Sequence, residues 1–341
     1  MAHAGKNRRK SRSAPIILIL LVLVIGGGLI FLRVYEQRQL EEEAARAREN
    51  DVYSPYRLTL SVDGTEYGLR NDLDTYLLIG LDKVTETLSD PESFINNQQA
   101  DFLFLMIVDQ TNRTYSALHV NRDTMTDIYR YGLGGKRLAS YTGQLALAHT
   151  YGSGRNDSCR YTTDAVSNIL LDVPIEHYLS LTMDAIPVLN DLVGGVVVHV
   201  VDDFSEVDPT LEMGKDVRLW GKHALTYVRT RVEVGDGTNL SRMARQREYI
   251  NGMYLQLSEK LKDDDGFAAR VASRVADFMV SDLTSNDLTN LVERIKEYRF
   301  TTIYSMDGEA FQGEKYIEFY PDEEALAQLV VQLFFEPVSS Q

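Results

Sequence analysis

Two runs of strand length, "TYLLIGL" at 75–81 and "FLFLMIV" at 102–108, are apolar at nearly every position. A strand with one wet face alternates apolar and polar residues, because successive side chains point to opposite sides. A strand without that alternation needs cover on both faces. These two segments therefore read as central strands with helices laid over both sides of their sheet. A third strand, "TYSALHV" (114–120), follows. Helical stretches are expected at about 140–151 and 161–171. Then "YLSLT" (178–182), "MDAIPVLNDLVG" (183–194) and "GVVVHVV" (195–201) read as strand, helix, strand. From Trp220 onward the pattern is mainly helical, through "RMARQREYINGMYLQLSEKLK" and "AARVASRVADFMV". The alternation predicts an α/β fold: a mixed central β-sheet covered by helices on both faces. Before it, "YRLTLSVDGTEYGL" (56–69) predicts a hairpin turning at Asp63-Gly64. After it, "YIEFYPDEEALAQLVVQLFFEP" predicts a closing strand and helix.

Near the N-terminus, "APIILILLVLVIGGGLIFL" runs from Ala14 to Leu32 without a charge. At the helical rise this length nearly spans the ~30 Å hydrocarbon core of a bilayer. A cleaved secretory signal also has a basic start and an apolar centre. This run is longer than a usual signal core, however, and "RVYEQRQLEEEAARAREN" after it offers no clear small-x-small cleavage site. One transmembrane helix is therefore expected at 14–34. Lys6, Arg8, Arg9, Lys10 and Arg12 precede it, and the positive-inside rule keeps that basic tail, 1–13, in the cytoplasm. Residues 35–55, rich in Glu, Ala, Arg and Gln, read as a helical juxtamembrane stalk closed by Pro55. Residues 56–341 form one domain outside the cell. The expected location is the cell membrane, crossed once.

Fifty acidic residues stand against thirty-five basic ones, a net charge of −15 that becomes about −20 once the five tail charges are set aside. Such a field repels nucleic acid and anionic polymers unless a local basic site overrides it. Cys159 is the only cysteine, which rules out an intrachain disulfide and a multi-cysteine zinc site. His119, His149, His177, His199 and His223 are scattered without metal-ligand spacing.

Against that acidic background, "YVRTRVEVGDGTNLSRMARQ" (227–246) gathers Arg229, Arg231, Arg242 and Arg245. Arg229 and Arg231 face one site only if the chain leaves the helix there, which the turn-rich "VEVGDGTN" permits. A second helix starts with Asn239 or Ser241 as its cap, and Arg242, Arg245 and Gln246 then share a face near its start. Arginines at a helix N-terminus oppose the macrodipole, so an anion between them is the better explanation. Clustering alone does not separate phosphate from carboxylate or sulfate.

Asp82 ends one apolar strand and Asp101 begins the next. If those strands are antiparallel neighbours, the two carboxylates meet at one edge and offer hard oxygen ligands of the kind that suit Mg²⁺. Either alone reads as a turn former. Arg122 and Asp123 lie just beyond the third strand, as a surface ion pair or as a planar fork for phosphate, and spacing leaves the two readings even.

The segments "DTYLLIGLD", "ADFLFLMIVD", "NRDTM", "YLSLTMDAIPVLNDLVGGVVVHV" and "GKHALTYVRTR…GD…SRMARQREYI" occur in that order. Together they resemble the LytR–CpsA–Psr family of membrane-anchored cell-wall ligases of Gram-positive bacteria, over roughly Asp74 to Ile250. The resemblance implies a phosphotransferase that moves a wall glycopolymer, such as teichoic acid or capsule, from a polyprenyl-pyrophosphate carrier to peptidoglycan. Its partners would be the lipid-linked glycan donor, the peptidoglycan acceptor and the bacterial cytoplasmic membrane, with no nucleic acid. By the same resemblance Asp82 and Asp101 match Mg²⁺-binding aspartates, and Arg122 matches a pyrophosphate-contacting arginine accompanied by Asp123. Arg229, Arg231, Arg242 and Gln246 match the rest of a phosphate clamp. An apolar groove between sheet and helices is implied for the lipid tail.

Two departures from the family pattern stand out. Gln99-Ala100-Asp101 stands where Arg-Ser-Asp is frequent, which removes a positive charge but not the metal ligand, and Asn121 replaces a common proline before Arg122. Three rivals remain beside the ligase. A pyrophosphatase would use the same metal and clamp with water as acceptor. A binder of polyprenyl phosphate or anionic polymer would need neither turnover nor metal. A transcription regulator is disfavoured by the anchor, the acidic outer domain and the absence of a recognisable helix-turn-helix.

Overall fold

Asp63 and Gly64 both adopt positive φ, 51° and 76°, as the expected hairpin turn requires. They join β1 (Thr59–Val62) to β2 (Thr65–Leu69) in antiparallel register. The computed structural model describes residues 57–82, 96–131, 137–264 and 266–338. The expected basic tail, membrane anchor and stalk lie outside the described residues. Among the described residues no helix is long and apolar enough to cross a membrane.

The three apolar runs become β3 (Leu73–Leu81), β4 (Ala100–Asp109) and β5 (Thr114–Val120), each antiparallel to the next. β6 (Met125–Tyr131) and β7 (Arg137–Gln144) then form a separate antiparallel ribbon. The helix expected at 140–151 is corrected here: β7 holds its first residues, and a single 3₁₀ segment, Leu145–Thr150, follows. Leu145, Ala146 and Ala148 have helical spacing, but pairing with β6 captures the residues before them.

α1 (Asn156–Ile169), β8 (His177–Thr182) and α2 (Ala185–Leu192) come next, then the short pair β9 (Val197–His199) and β10 (Asp216–Arg218). α3 (Lys222–Arg229), α4 (Asn239–Asp263) and α5 (Phe267–Val275) supply the helical stretch. The chain closes with β11 (Met279–Ser281), α6 (Ser285–Lys296), β12 (Arg299–Ser305), the hairpin β13 (Gly308–Gln312) and β14 (Ile317–Pro321), α7 (Glu323–Phe334) and β15 (Phe335–Pro337). The closing strand and helix are where the sequence puts them.

The main sheet has the order β11-β8-β3-β4-β5-β12. β8 runs parallel to β3 and β12 parallel to β5, while the other pairs are antiparallel, so the sheet is mixed. Side-chain alternation splits β3 and β4 between two cores. Leu77, Ile79, Leu103 and Leu105 pack with α1 and α7 in one cluster. Leu78, Phe102, Leu179 and Leu181 face α2 and α4 instead, across a cavity. A second cluster, built on Val196, Val198, Phe204, Leu219 and Tyr227, fixes β9, β10, α3 and α4 to one another. This second cluster holds the arginine-bearing helices as a unit.

Candidate functional site

Because β3 and β4 are antiparallel, the end of one lies beside the start of the other, with Leu81 opposite Ala100. Gly80 is opposite Phe102, so the register slips and Asp101 is the extra residue of a bulge. Bulges re-aim a side chain at a sheet edge. Asp82 follows Leu81 directly, and its Oδ1 is buried without a hydrogen-bond partner among the described residues. Arg122, two residues past the end of β5, reaches across the same edge and its Nη1 is ion-paired with Asp101 Oδ1.

The rest of the Arg122 guanidinium is also held. Nε lies 3.1 Å from Asp123 Oδ1, and Nη2 donates to Gln99 Oε1 at 3.4 Å. Asp123 is itself fixed, since Gln144 Nε2 donates to its Oδ1 (3.0 Å) and to the Ile317 carbonyl (2.7 Å). Asp123 Oδ2 is buried and unpartnered among the described residues. Of the two sequence readings of this pair, the isolated surface ion pair does not fit. Arg122 sits in a partly buried row of carboxylates.

The second half of the site comes from α3 and α4. Thr230, the C-cap of α3, is extended (φ −61°, ψ 138°), so the chain leaves the helix after Arg229 as the turn-rich sequence permits. Thr238, one residue earlier than expected, caps α4 by accepting from Ser241 N. On α4, Arg242 is 6% exposed and its Nε is buried without a partner among the described residues. Burial, followed by the nearby charges of Arg122 and Arg231, pushes its pKa down to about 10. A buried cation among cations with an unused donor is costly by itself, and an anion would relieve both terms.

Arg245 does not join this cluster. It is fully buried, donates to Asp202 Oδ2 (2.5 Å), Ser241 Oγ (3.2 Å) and the backbone carbonyls of Tyr227 and Thr230, and stacks over Phe204. The expected common face of Arg242, Arg245 and Gln246 is thus split: Arg245 staples the connection between α3 and α4. Gln246 Nε2 donates to the Val228 carbonyl at 3.2 Å. Arg231 is half-buried and near enough to perturb Arg242. Arg229 is exposed at the end of α3 and makes no hydrogen bond or ion pair among the described residues.

Three positioning residues went unassigned in the sequence. Asn239 Nδ2 donates to Asn121 Oδ1 (2.7 Å), while its own Oδ1 accepts from Arg242 Nη2 (2.7 Å). Asn121 Oδ1 also accepts from Asp123 N at 3.0 Å. Asn121 and Asn239 therefore tie both halves of the site together, while Gln144 anchors Asp123 to the Ile317 carbonyl. The signal for Asn239 was its place one helical turn before Arg242, where it read only as a cap. His119 lies beneath, with its ring 5.0 Å from Phe102 and 5.8 Å from Phe104. Burial, reinforced by Arg247 and Arg242, pushes its pKa down to about 3, so it is neutral at pH 7.

No group of three or more His, Cys, Asp or Glu side chains among the described residues could hold a metal on protein ligands alone. Two edge carboxylates, one with a buried and unpartnered oxygen, fit Mg²⁺, which keeps waters and takes substrate phosphate oxygens for the rest of its shell. Behind the charged edge an apolar cavity of about 760 Å³, including its mouth, opens between sheet and helices. Leu78, Phe102, Leu181, Ile186, Leu189 and Tyr249 line it, with Thr182 and Gln246 as its polar lining.

Comparison with known proteins gives one consistent result. A polyisoprenyl-teichoic acid–peptidoglycan teichoic acid transferase, TagU, of Bacillus licheniformis is 26% identical over 239 residues, covering 69% of this chain and 71% of that protein. TagU of Bacillus subtilis, which bears the same description, is 31% identical over 155 residues, 46% of this chain and about half (45%) of that protein. The crystal structure of B. subtilis TagU superposes with a TM-score of 0.53 at 22% identity, covering 77% of this chain and 96% of that one. It shares the mixed α/β fold. The sequence profile described as the LytR_cpsA_psr family matches residues 30–333, most of the chain, and this protein belongs to that family.

Proposed function

We propose that the protein is a Mg²⁺-dependent transferase that moves a cell-wall glycopolymer from a polyprenyl-pyrophosphate carrier to peptidoglycan and releases polyprenyl phosphate. One observation carries this reading: a buried arginine with an unused donor and a row of carboxylates adjoin an apolar cavity, Asp101 next to its lining residue Phe102 and Arg242 one helical turn before its lining residue Gln246. A pyrophosphate suits the first environment and a prenyl tail suits the second. The names of the TagU relatives support the same donor and acceptor classes.

Asp82 and Asp101 would hold Mg²⁺, which when bound neutralises charge on the pyrophosphate oxygens. Arg122, Arg229, Arg231 and Arg242 bind the remaining phosphate oxygens. Arg242 acts from a low-dielectric setting, where an oriented donor is strongest. Gln246, between the arginines and the cavity, orients the oxygen on the lipid side. A sugar hydroxyl of peptidoglycan attacks the glycan-proximal phosphorus. Its P–O bond forms as the bond to the bridging oxygen breaks, and the electron pair leaves with polyprenyl phosphate. Asp82 and Asp123 are the candidate acceptors of the hydroxyl proton, each with a buried oxygen unpartnered among the described residues. The uncharged run Ala14–Leu32 would anchor the chain in the cell membrane, with a single pass and the catalytic domain outside, where donor and acceptor meet.

The test is turnover by the full chain in lipid nanodiscs, given Mg²⁺, a polyprenyl-pyrophosphate glycan and peptidoglycan. Release of polyprenyl phosphate together with wall-bound glycan, lost with EDTA or in Arg122→Ala, is the expected result. Polyprenyl phosphate with only free glycan would replace the ligase with a hydrolase. Tight donor binding without turnover would leave a binding protein.

A further inference from the structure

A second, polar cleft opens at the same sheet edge. It encloses about 540 Å³ including its mouth. Its polar lining consists of Gln98, Ser153, Arg155, Ser180, Thr182 and Asp277. Thr182 ends β8 and pairs with Leu81, the residue before Asp82. The side chain is 4% exposed, and its Oγ1 is buried with no hydrogen-bond partner among the described residues. Arg155 and Asp277 are exposed and form no ion pair with each other or with any other described residue.

The placement of this cleft relative to the apolar cavity matters. Along β8, Leu179 and Leu181 line the apolar cavity, while Ser180 and Thr182 line the polar cleft. Successive side chains of a strand point to opposite faces, so the two openings lie on opposite sides of the sheet and converge where the strand ends. Thr182 touches both. The edge then runs from Thr182 on β8 through Asp82 just beyond β3 and Asp101 on β4 to Arg122 beyond β5.

We infer that the polar cleft is the acceptor subsite, where a peptidoglycan amino sugar is held for attack. The inference rests on the transfer reading above and adds the location of the second substrate. Phosphoryl displacement needs the attacking and leaving oxygens roughly in line across phosphorus. With the prenyl tail of the leaving group on one face of the sheet, the nucleophile approaches from the other. The polar cleft on that face supplies the set named above. Its chemistry suits a sugar: hydroxyl and amide groups for ring hydroxyls, with a guanidinium and a carboxylate for N-acetyl and lactyl or peptide groups. The hydroxyl oxygen gains its bond to phosphorus, the bridging oxygen departs with polyprenyl phosphate, and the proton passes to an edge carboxylate. Asp82, which follows the cleft-lining Leu81 at the end of β3, is the one closest in sequence register.

The test uses the full chain in nanodiscs and a soluble, uncrosslinked peptidoglycan tetrasaccharide as probe. Its affinity is measured by titration calorimetry against wild type, the exposed double variant Arg155→Ala/Asp277→Ala and the isosteric Thr182→Val. Donor affinity is measured in parallel with a polyprenyl-pyrophosphate disaccharide. The expected result is at least tenfold weaker tetrasaccharide binding in both variants, with the donor affinity of the double variant within twofold of wild type. Equal tetrasaccharide binding in wild type and the double variant, or none in wild type, overturns the assignment. A parallel loss of donor affinity in the double variant overturns it too, and makes the cleft a donor-glycan subsite. If wild type binds the tetrasaccharide through these residues yet transfers nothing to it, the transfer reading fails while the saccharide site stands.

Discussion

Arg242 and Arg245 lie three residues apart on α4, yet Arg245 is saturated by Asp202, Ser241 and two backbone carbonyls, whereas Arg242 keeps a buried Nε with no partner among the described residues. The two arginines therefore have opposite energetic roles. One is satisfied without ligand. The other is an unpaid desolvation cost that a bound anion would relieve.

The pair should respond oppositely to truncation. Arg245→Ala leaves Asp202 and two carbonyls without their donor, and breaking such a buried pair costs about 3 kcal/mol or more. Arg242→Met removes a buried cation whose pKa is already pushed down to about 10, so stability should hold or rise. Donor turnover should nonetheless fall ~100-fold or more, as for loss of one preorganised charge-stabilising donor. Urea unfolding and turnover on the same preparations check both halves. A destabilised Arg242→Met with intact turnover would reverse the assignment.

Asn239 couples the halves of the site, since it donates to Asn121 and accepts from Arg242. Asn239→Ala strands the Arg242 Nη2 proton and loses the Asn121 contact, at about 1–3 kcal/mol. A loss of that size confined to stability would make Asn239 merely structural. The expectation is a further fall in kcat with donor KM little changed, because Arg242 stays present but loses its orientation. Asn239→Asp, which keeps an acceptor for Arg242, should recover part of kcat.

How much of this was legible follows from which interactions are local. Asp82 and Asp101 could be placed because apolar runs mark strand ends, and antiparallel pairing of successive runs is short-range. The bulge that frees Asp101 depends on register and leaves no mark in composition. The stretch 140–151 misled because Leu145, Ala146 and Ala148 have helical spacing, while the partner that holds Tyr141–Gln144 in a strand lies in β6. Arg245 misled for the same reason: its role is decided by Asp202, 43 residues away. The polar cleft was also unreadable, because it assembles Gln98, Ser153, Thr182 and Asp277 from four separate segments.

Acid should destabilise the domain before its carboxylates titrate. Burial pushes the pKa of His119 down to about 3 and that of His149 down to about 4, against ~6.5 in the unfolded chain. Well above pH 6.5 neither histidine is protonated in either state, and neither contributes. Between pH 6.5 and about 5 the unfolded chain takes up protons that the folded one refuses, so stability falls as pH falls. The slope approaches ~1.4 kcal/mol per pH unit for each histidine once its unfolded form is protonated. His119→Phe removes one of the two uptakes and should halve this slope. Equal slopes for wild type and variant in urea unfolding at pH 7, 6 and 5 would mean that His119 is protonated in the folded state.

The apolar cavity does not end behind the charged edge. A second cavity of about 750 Å³, including its mouth, lies toward α5 and α6, and Leu179, Leu181 and Leu189 line both. A prenyl chain too long for the first space would have to pass Leu189, the one of the three that lies on α2 rather than on β8. Leu189→Trp should fill that passage. Because it adds apolar volume where there is already space, stability should be kept or improved, unlike overpacking of a closed core, which costs about 1–3 kcal/mol. Affinity for a long polyprenyl-pyrophosphate glycan should fall at least tenfold, while a three-isoprene analogue, confined to the first space, should bind and react as in wild type. Donor KM across a series of chain lengths reads this directly. If Leu189→Trp weakens short and long donors alike, the lipid does not pass between the two cavities, and the second one is simply loose packing between α4, α5 and α6.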